Sequence, residues 1–377
     1  MAIYFDNAAT TPMDEAVKIS ILPFLNGQFG NPSAIHSIGR PVRAAVEKSR
    51  KTIAGHLNAS PAEIFFTSGG TEANNTILLG CVRDLEIKHI ITSPIEHHCV
   101  LHFSEYLQKN YGIQRHLLSV NDKGHIDQEE LKTLLASIKE KTLVSLMHSN
   151  NEIGTMIDID KIAHICKEYN ALFHSDTVQT LGYYNFDLQK TPIDFMVCSA
   201  HKLHGPKGIG CLYIRGGHKI SPLLYGGAQE RNMRAGTENV IGIVGLGKAV
   251  EIAYASLEEK QVYIQGLKDY LIQQLTTNFE DIQFNGDYDG QSHYKVLNVS
   301  FPPSKYNDML LFNLDVAGIC ASGGSACSSG IDKGSHVIQK LQKEAGRTPI
   351  RFSFSKYNTK EEIDILMDKL KEILQRS

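Results

Sequence analysis

Short apolar runs alternate with amphipathic segments between residues 60 and 214. Runs rich in Ile, Val, Leu and Phe predict strands, and segments with apolar residues at every third or fourth position predict helices. The predicted strands are 63–67, 89–93, 115–120, 143–148, 172–175, 195–198 and 211–214, and helices are predicted at 98–111, 127–138 and 160–169. Strands separated by helices of this length favour an α/β fold with a mostly parallel sheet, covered by helices on both faces.

The pattern changes on both sides of this region. An amphipathic helix is predicted at 40–58, and its basic residues are expected on the outer face; they are Arg43, Lys48, Arg50 and Lys51. Residues 240–280 predict long helices. A mixed segment follows, with strands at 296–301 and 350–354, a loop rich in glycine and serine at 318–334, and a closing helix from Thr359.

A chain of 377 residues is too long for one simple core. We expect a large domain over residues 13–250 with a seven-stranded sheet, and a smaller α+β domain made of residues 1–12 and 251–377. The net charge of −3 gives no electrostatic case for binding nucleic acid or an anionic membrane. No apolar run approaches the roughly 20 residues that span a bilayer, and no secretory signal is visible at the N-terminus.

The seven cysteines are odd in number, scattered, and contain no C-x-x-C pair; they are Cys81, Cys99, Cys166, Cys198, Cys211, Cys320 and Cys327. This arrangement argues against a disulfide framework and a zinc ribbon, and it favours the reducing cytoplasm. Most of these thiols are expected to be inert core residues. The exception is Cys327, which lies in the loop rich in glycine and serine.

Ligands of open α/β sheets bind beyond the carboxyl ends of the strands. After the first strand, Gly70 and Thr71 precede a predicted helix, so they are candidates for holding a phosphate at its N-terminus. The stretch has neither the Walker pattern nor G-x-G-x-x-G, and a simple helix cap is the alternative.

Two adjacent histidines, His97 and His98, follow the strand at 89–93. An imidazole there can stack on a planar ring and move protons, and we expect only one of the pair to face a site. The asparagines that follow the strand at 143–148 either orient a carboxylate or build a turn.

Asp176 closes the strand at 172–175, and a buried carboxylate in that position needs a partner. The nitrogen of a pyridinium ring is one such partner, and Gln179 would be able to reach a hydroxyl on the same ring. A capping role or a metal ligand is the alternative, but no second carboxylate is spaced for a metal, so no metal site is expected.

A lysine lies between two predicted strands. Lys202 follows the strand 195–198, with Ser199 and His201 beside it, and a turn rich in glycine leads to the strand 211–214. A lysine that can be neutral forms a Schiff base with an aldehyde cofactor. By itself this residue is also compatible with an ordinary lysine at the corner of a strand. Together with a phosphate cradle, a carboxylate and an imidazole at neighbouring strand ends, it indicates pyridoxal 5'-phosphate.

A series of motifs along nearly the whole chain carries a family resemblance. They lie at 4–12, 30–33, 67–74, 96–97, 150–154, 174–179, 199–202, 234–239, 322–330 and 350–353. In this order they resemble the cysteine desulfurases of the NifS/IscS type, which are class-V, fold-type-I enzymes that use pyridoxal phosphate. The resemblance implies that sulfur is removed from L-cysteine, which leaves L-alanine and an enzyme persulfide.

The resemblance also implies a role for each matching residue. Lys202 would bind the cofactor as a Schiff base, Asp176 would pair with the ring nitrogen and Gln179 with the ring hydroxyl, and His97 would stack on the ring and move protons. The phosphate would be held by four residues of one chain and one of its neighbour in a homodimer; these are Gly70, Thr71, Ser199 and His201, and Thr237 of the neighbour. The substrate carboxylate would be held by Asn151 and Arg351, and Cys327 would be the nucleophile.

The persulfide would pass to an acceptor protein, either an iron–sulfur scaffold or a carrier for transfer-RNA thiolation. The sequence departs from the family pattern at Gly324, where a serine is usual, and the stretch from Cys327 to Arg351 is short. The chain also ends soon after Leu374, without the tail by which some relatives engage the scaffold, which leaves the acceptor open. Alternatives are another class-V enzyme, such as a selenocysteine lyase or an aminotransferase, and a non-catalytic sulfur-trafficking or scaffold protein.

Overall fold

A computed structural model describes residues 2–303, 309–323, 334–341 and 346–374. The helices are α1 (Glu15–Asn26), α2 (Gly39–His56), α3 (Gly70–Asp84), α4 (His98–Tyr111), α5 (Gln128–Ser137), α6 (Ile159–Glu168), α7 (Val240–Ala255), α8 (Leu257–Asn278), α9 (Leu310–Val316), α10 (His336–Lys340) and α11 (Lys360–Leu374). The strands are β1 (Ile3–Tyr4), β2 (Ile64–Thr67), β3 (His89–Thr92), β4 (Gln114–Leu117), β5 (Thr142–Ser145), β6 (Leu172–Asp176), β7 (Phe195–Ser199), β8 (Gly210–Ile214), β9 (Gln283–Asn285), β10 (Val296–Phe301), β11 (Ile319–Cys320) and β12 (Thr348–Ser353).

The main sheet has seven strands in the order β2-β8-β7-β6-β5-β3-β4. Strands β3 to β7 pair in parallel, and β8 runs antiparallel to both of its neighbours. The predicted fold class is therefore confirmed. Because β3, β5, β6 and β7 run in the same direction, the residues that follow them meet at one edge of the sheet.

Both faces of this sheet are buried, as the apolar runs predicted. Alternate residues of β7 belong to different cores: Phe195 and Val197 pack with helices α3 and α4, and Met196 packs with helices α6 and α7. Strands covered on both faces need apolar side chains at nearly every position. The sheet is thus a rigid base for the polar residues at its edge.

A second group of elements contains the C-terminal third of the chain. Strands β9, β10 and β12 form an antiparallel sheet, and α8 and α11 contribute to its core. The N-terminal strand β1 pairs in parallel with β11 of this group. The domain boundaries proposed above, with residues 1–12 in the smaller domain, stay a prediction.

Some elements were not predicted. Strands β9 and β11 and helices α9 and α10 are too short to show a periodic pattern of their own. No single helix among the described residues is both long and apolar enough to cross a membrane, and α7 and α8 pass that test only jointly, with a bend of 78° between them.

The expectation for Arg50 was wrong, because this side chain lies in the core and not on the outer face of α2. Its guanidinium makes two hydrogen bonds of 2.8 and 2.7 Å to the carboxylate of Glu230, and both side chains are nearly fully buried. Glu230 also accepts a hydrogen bond from the backbone N–H of Phe66 in β2. The pair therefore ties α2 and the main sheet to the loop before α7.

We expect Glu230→Ala to lower the free energy of unfolding by about 3–5 kcal/mol, because it removes the buried carboxylate from the guanidinium of Arg50 and leaves only the half-exposed Glu47 as a counter-charge. Glu47→Ala is the matched control, since Glu47 also pairs with Arg50 but is half exposed. Its removal should cost at most about 1 kcal/mol. Urea unfolding of the two variants measures the difference, and equal losses would contradict the assignment.

Candidate active site

A cavity of about 1000 Å³, counting the open space at its mouth, lies at the edge of the main sheet where β6 and β7 end and α3 and α4 begin. Among its lining residues are all of the predicted cofactor and substrate residues of one chain; these are Gly70, Thr71, His97, Asn151, Asp176, Gln179, Ser199, His201, Lys202 and Arg351. Residues from sequence positions 70 to 351 are thus brought to a single site.

Lys202 enters the cavity from a short 3-10 helix, Ala200–Lys202, that directly continues β7. Its Nζ donates hydrogen bonds to two backbone carbonyls of the N-terminal segment, 2.6 Å to Ala8 and 2.7 Å to Ala9. The next strand starts at Gly210, where a Cβ would lie 2.4 Å from the carbonyl oxygen of Cys198. A glycine is therefore required for β8 to pack beside the segment that carries Lys202.

Asp176 is buried at the end of β6, and both of its oxygens accept hydrogen bonds. Oδ2 accepts from Nδ2 of Asn74 at 2.8 Å, and Oδ1 accepts from the backbone N–H of Val178 at 3.0 Å. Asn74, on α3, was not singled out from the sequence. It lies within the motif at 67–74, which would have been the signal for it.

Gln179 lies beside Asp176 and is buried. Its Nε2 donates to the carbonyl oxygen of Ala8 at 3.0 Å, whereas its Oε1 has no hydrogen-bond partner among the described residues. A buried acceptor without a donor is costly. This oxygen is therefore suited to accept a hydrogen bond from a ligand.

His97 caps α4, and its Nδ1 accepts the backbone N–H of Cys99 at 3.2 Å. A neutral ring that accepts at Nδ1 carries its proton on Nε2. Burial lowers the pKa of His97; the charge of Asp176 acts against this shift and that of Lys202 adds to it. His98 also lines the cavity, so the expectation that only one of the pair would face the site was wrong.

Helix α3 begins at Gly70 without a side-chain cap, which leaves backbone N–H groups at the cavity. Such a helix end attracts an anion. His201 is held near it by a 3.1 Å contact between Nδ1 and the hydroxyl of Thr10. Burial, assisted by the charge of Lys202, lowers the pKa of His201 to about 4, so its ring is neutral at neutral pH.

Arg351 is buried and joined to Asn151, its predicted partner in binding the substrate. Its guanidinium donates to the carbonyl oxygen of Asn151 at 2.8 Å and to the carboxylate of Asp6 at 2.6 Å. Its Nε has no partner among the described residues. Asp6 therefore holds Arg351 in place. A substrate carboxylate would pair with the same guanidinium that Asp6 already contacts.

One predicted residue lies elsewhere. Thr237 lines a separate cavity of about 610 Å³, together with Ser68 and Gly208. The predicted nucleophile Cys327 lies outside the described residues.

Glu96 is a buried carboxyl group next to His97 to which the sequence assigned no role. It contacts the hydroxyl of Ser93 at 2.7 Å and accepts the backbone N–H of Met147 at 2.9 Å. Burial raises its pKa from 4.5 to about 8. The group is therefore protonated and uncharged at neutral pH.

Comparison with known proteins agrees with this site. A family model described as aminotransferase class-V matches residues 3–366. The cysteine desulfurase IscS of Dictyoglomus turgidum is 42% identical, over 99% of this chain and 95% of the relative. Among solved structures, a NifS-like protein gives a TM-score of 0.91 at 38% identity, covering 100% of both chains. A structure described as SspA in complex with cysteine gives 0.81 at 31% identity, over 95% of this chain and 100% of the other.

The fold and the site thus define a member of the class-V aminotransferase family. Within that family, the chain belongs to the cysteine desulfurases of the NifS/IscS type. The predicted family is confirmed. The roles of individual residues remain predictions that the geometry makes specific.

The raised pKa of Glu96 predicts a pH-dependent stability. Between about pH 4.5 and 8 the folded protein keeps a proton that the unfolded chain has lost, so the free energy of unfolding falls as pH rises. Glu96→Gln removes this contribution. We therefore expect the free energy of unfolding of the variant, relative to that of the wild type, to rise by up to about 1.4 kcal/mol per pH unit across this window.

Urea unfolding at a series of pH values measures this difference. Glu105→Gln, which removes an exposed carboxylate from α4, is the control and should follow the wild type. If the free energies of unfolding of Glu96→Gln and the wild type differ by the same amount at all pH values, the buried, protonated state of Glu96 is contradicted.

Proposed function

We propose that this site binds pyridoxal 5'-phosphate and uses it to remove sulfur from L-cysteine, with L-alanine and a persulfide on Cys327 as products. The observation that carries the proposal is the convergence of Lys202, Asp176 and His97 in one cavity. A lysine amine, a buried carboxylate and an imidazole are the groups needed around a pyridoxal ring.

The cavity fits the cofactor in several respects. The open N-terminus of α3 suits its phosphate, and the carboxylate of Asp176 suits the protonated ring nitrogen. The unpartnered Oε1 of Gln179 suits the ring hydroxyl, which is a hydrogen-bond donor. Bound there, the cofactor supplies a carbonyl carbon that captures amines and a ring that withdraws electrons.

The residues around Lys202 keep its amine in position. The carbonyls of Ala8 and Ala9 fix Nζ at the end of β7, and the N-terminal segment covers it on that side. At that position the amine of Lys202 would take and return a proton at the substrate's α-carbon. His97, with its proton on Nε2, is the second group able to move a proton in the same cavity.

The substrate is oriented by its carboxylate. Arg351 presents a buried guanidinium beside Asn151, and a guanidinium binds a carboxylate with two parallel hydrogen bonds. The related SspA structure is described as a complex with cysteine, which supports L-cysteine as the ligand of this cavity.

Cys327 completes the reaction in this proposal. Its thiolate attacks the sulfur of the substrate and forms a sulfur–sulfur bond. The carbon–sulfur bond breaks, its electron pair stays on the carbon, and protonation of that carbon gives the methyl group of alanine. The persulfide then passes to an acceptor protein for iron–sulfur cluster assembly or transfer-RNA thiolation.

We propose a homodimer, because Thr237 lines a cavity of its own and would reach the phosphate site of a partner subunit. Phe29, which lines a neighbouring cavity together with Thr237, is an exposed apolar side chain that a second copy would cover. We also propose a cytoplasmic location, since the six cysteines in the described residues are free thiols, a state that a reducing compartment maintains.

The function is tested by loading the purified protein with pyridoxal phosphate, adding L-cysteine, and measuring alanine together with the sulfide that a thiol reductant such as dithiothreitol releases from the persulfide. We expect a yellow protein that forms both products. Cys327→Ala should keep the colour and lose at least about 99% of the activity, because the nucleophile is gone, and Lys202→Ala should lose turnover.

Matched controls are Cys320→Ala, which removes a thiol outside the cavity, and Lys207→Ala, which removes an exposed lysine of the same loop. Both should retain wild-type turnover. A colourless protein would overturn the cofactor assignment, and desulfuration by Cys327→Ala would overturn the assignment of the nucleophile.

A further inference from the structure

A second thiol, Cys99, lines the cavity that contains Lys202 and Asp176. It is the second residue of α4 and is half buried. Its Sγ lies 3.0 Å from Nδ1 of His97 and 3.3 Å from Nδ2 of Asn74. Sequence patterns do not separate this cysteine from the inert ones, and neither the family roles nor the reaction above uses it.

The direction of each hydrogen bond around Cys99 follows from its neighbours. Asp176 is an acceptor, so the amide of Asn74 must present its NH₂ group to that carboxylate. The same NH₂ group is the one that contacts Sγ, and therefore the sulfur accepts from Asn74.

The thiol keeps its own proton. Burial and the charge of Asp176 raise the pKa of Cys99 far above its usual range, so the group is an S–H at neutral pH. Because the sulfur accepts from Asn74, we place this proton toward the other neighbour at hydrogen-bond distance, which is Nδ1 of His97. That nitrogen also accepts the backbone N–H of Cys99, so its single lone pair is shared by the two donors.

We propose that Cys99 is a positioning residue that holds His97 as a neutral imidazole with its proton on Nε2, the form that can donate into the cavity. The hydrogen-bonded chain Asp176–Asn74–Cys99–His97 then links the carboxylate assigned to the ring nitrogen with the imidazole assigned to the ring face. This inference rests on the proposed role of His97 in the desulfurase reaction.

Other groups also act on His97, and they are unchanged by a substitution at position 99. Asp176 favours the charged ring, and the remaining neighbours with electrostatic influence disfavour it; these are Lys202 on the 3-10 helix, His98 and His102 on α4, and His336 on α10. Because these groups stay constant, a change in the pKa of His97 when Cys99 is replaced reports on the hydrogen bond between the two residues.

The hydrogen bond itself is tested by infrared spectroscopy in the S–H stretching region, on the full-length protein with its cofactor. The difference between wild type and Cys99→Ser isolates the band of Cys99. We expect a band at the lowered frequency of a donating thiol, and we expect His97→Ala to move it to the frequency of a free thiol. An unchanged band in His97→Ala, or no S–H band from Cys99, would overturn the proposal.

The consequence for catalysis is tested by the pH profile of kcat/KM for L-cysteine. Cys99→Ala removes a donor that favours the neutral ring, so the acid limb should move to higher pH by about half to one unit. Cys99→Ser keeps a donor and should retain the wild-type limb to within about 0.3 units. Cys166→Ala, which removes a buried thiol from α6 in the core, is the control and should leave the limb unchanged.

An acid limb that stays in place in Cys99→Ala would overturn the proposal. A shift of the same size in both Cys99 variants would also overturn it, because it would assign the effect to packing. The infrared result does not depend on turnover. If the infrared band shows a donating thiol but the protein fails to desulfurate L-cysteine, the hydrogen bond of Cys99 stands and the proposed function is overturned.

Discussion

The active site depends on the hydrogen bonds that the N-terminal segment makes to both halves of the molecule. The carbonyl oxygen of Ala8 accepts from Nζ of Lys202 and from Nε2 of Gln179, so one backbone group holds two residues that follow strands of the main sheet. A few residues earlier, the carboxylate of Asp6 holds Arg351 of β12. This segment therefore fixes the distance between the lysine and the arginine that the reaction requires.

The rest of the site is organised by the need to pair buried polar groups. Asp176 is satisfied by Asn74 and by a backbone N–H, and through Asn74 it is connected to Cys99 and His97. Burial keeps the imidazoles and the thiol uncharged, whereas the carboxylate is held by donors. The cavity thus places a negative charge at one side, cations at another, and neutral groups that can exchange protons between them.

Much of the fold and of the site was predictable, because periodic patterns report burial. The seven strands of the main sheet and the long helices were predicted to within a few residues, and the predicted cofactor and substrate residues of one chain meet in one cavity. The shortest elements show no period of their own, and the misjudged side chains depend on contacts that their local patterns do not report. Arg50 is buried because Glu230 accepts its guanidinium, and nothing within α2 signals that contact. Cys99 differs from the core thiols only because Asn74 and His97 surround it.

We assign to Lys202 the amine that binds pyridoxal phosphate. Borohydride reduction of the cofactor-loaded protein fixes the cofactor covalently to the amine that holds it, and peptide mass spectrometry then identifies that amine. We expect one modified peptide, with the modification on Lys202. A modification on another lysine, such as the buried Lys295 near the same site, or no modification in a cofactor-loaded sample, would contradict it.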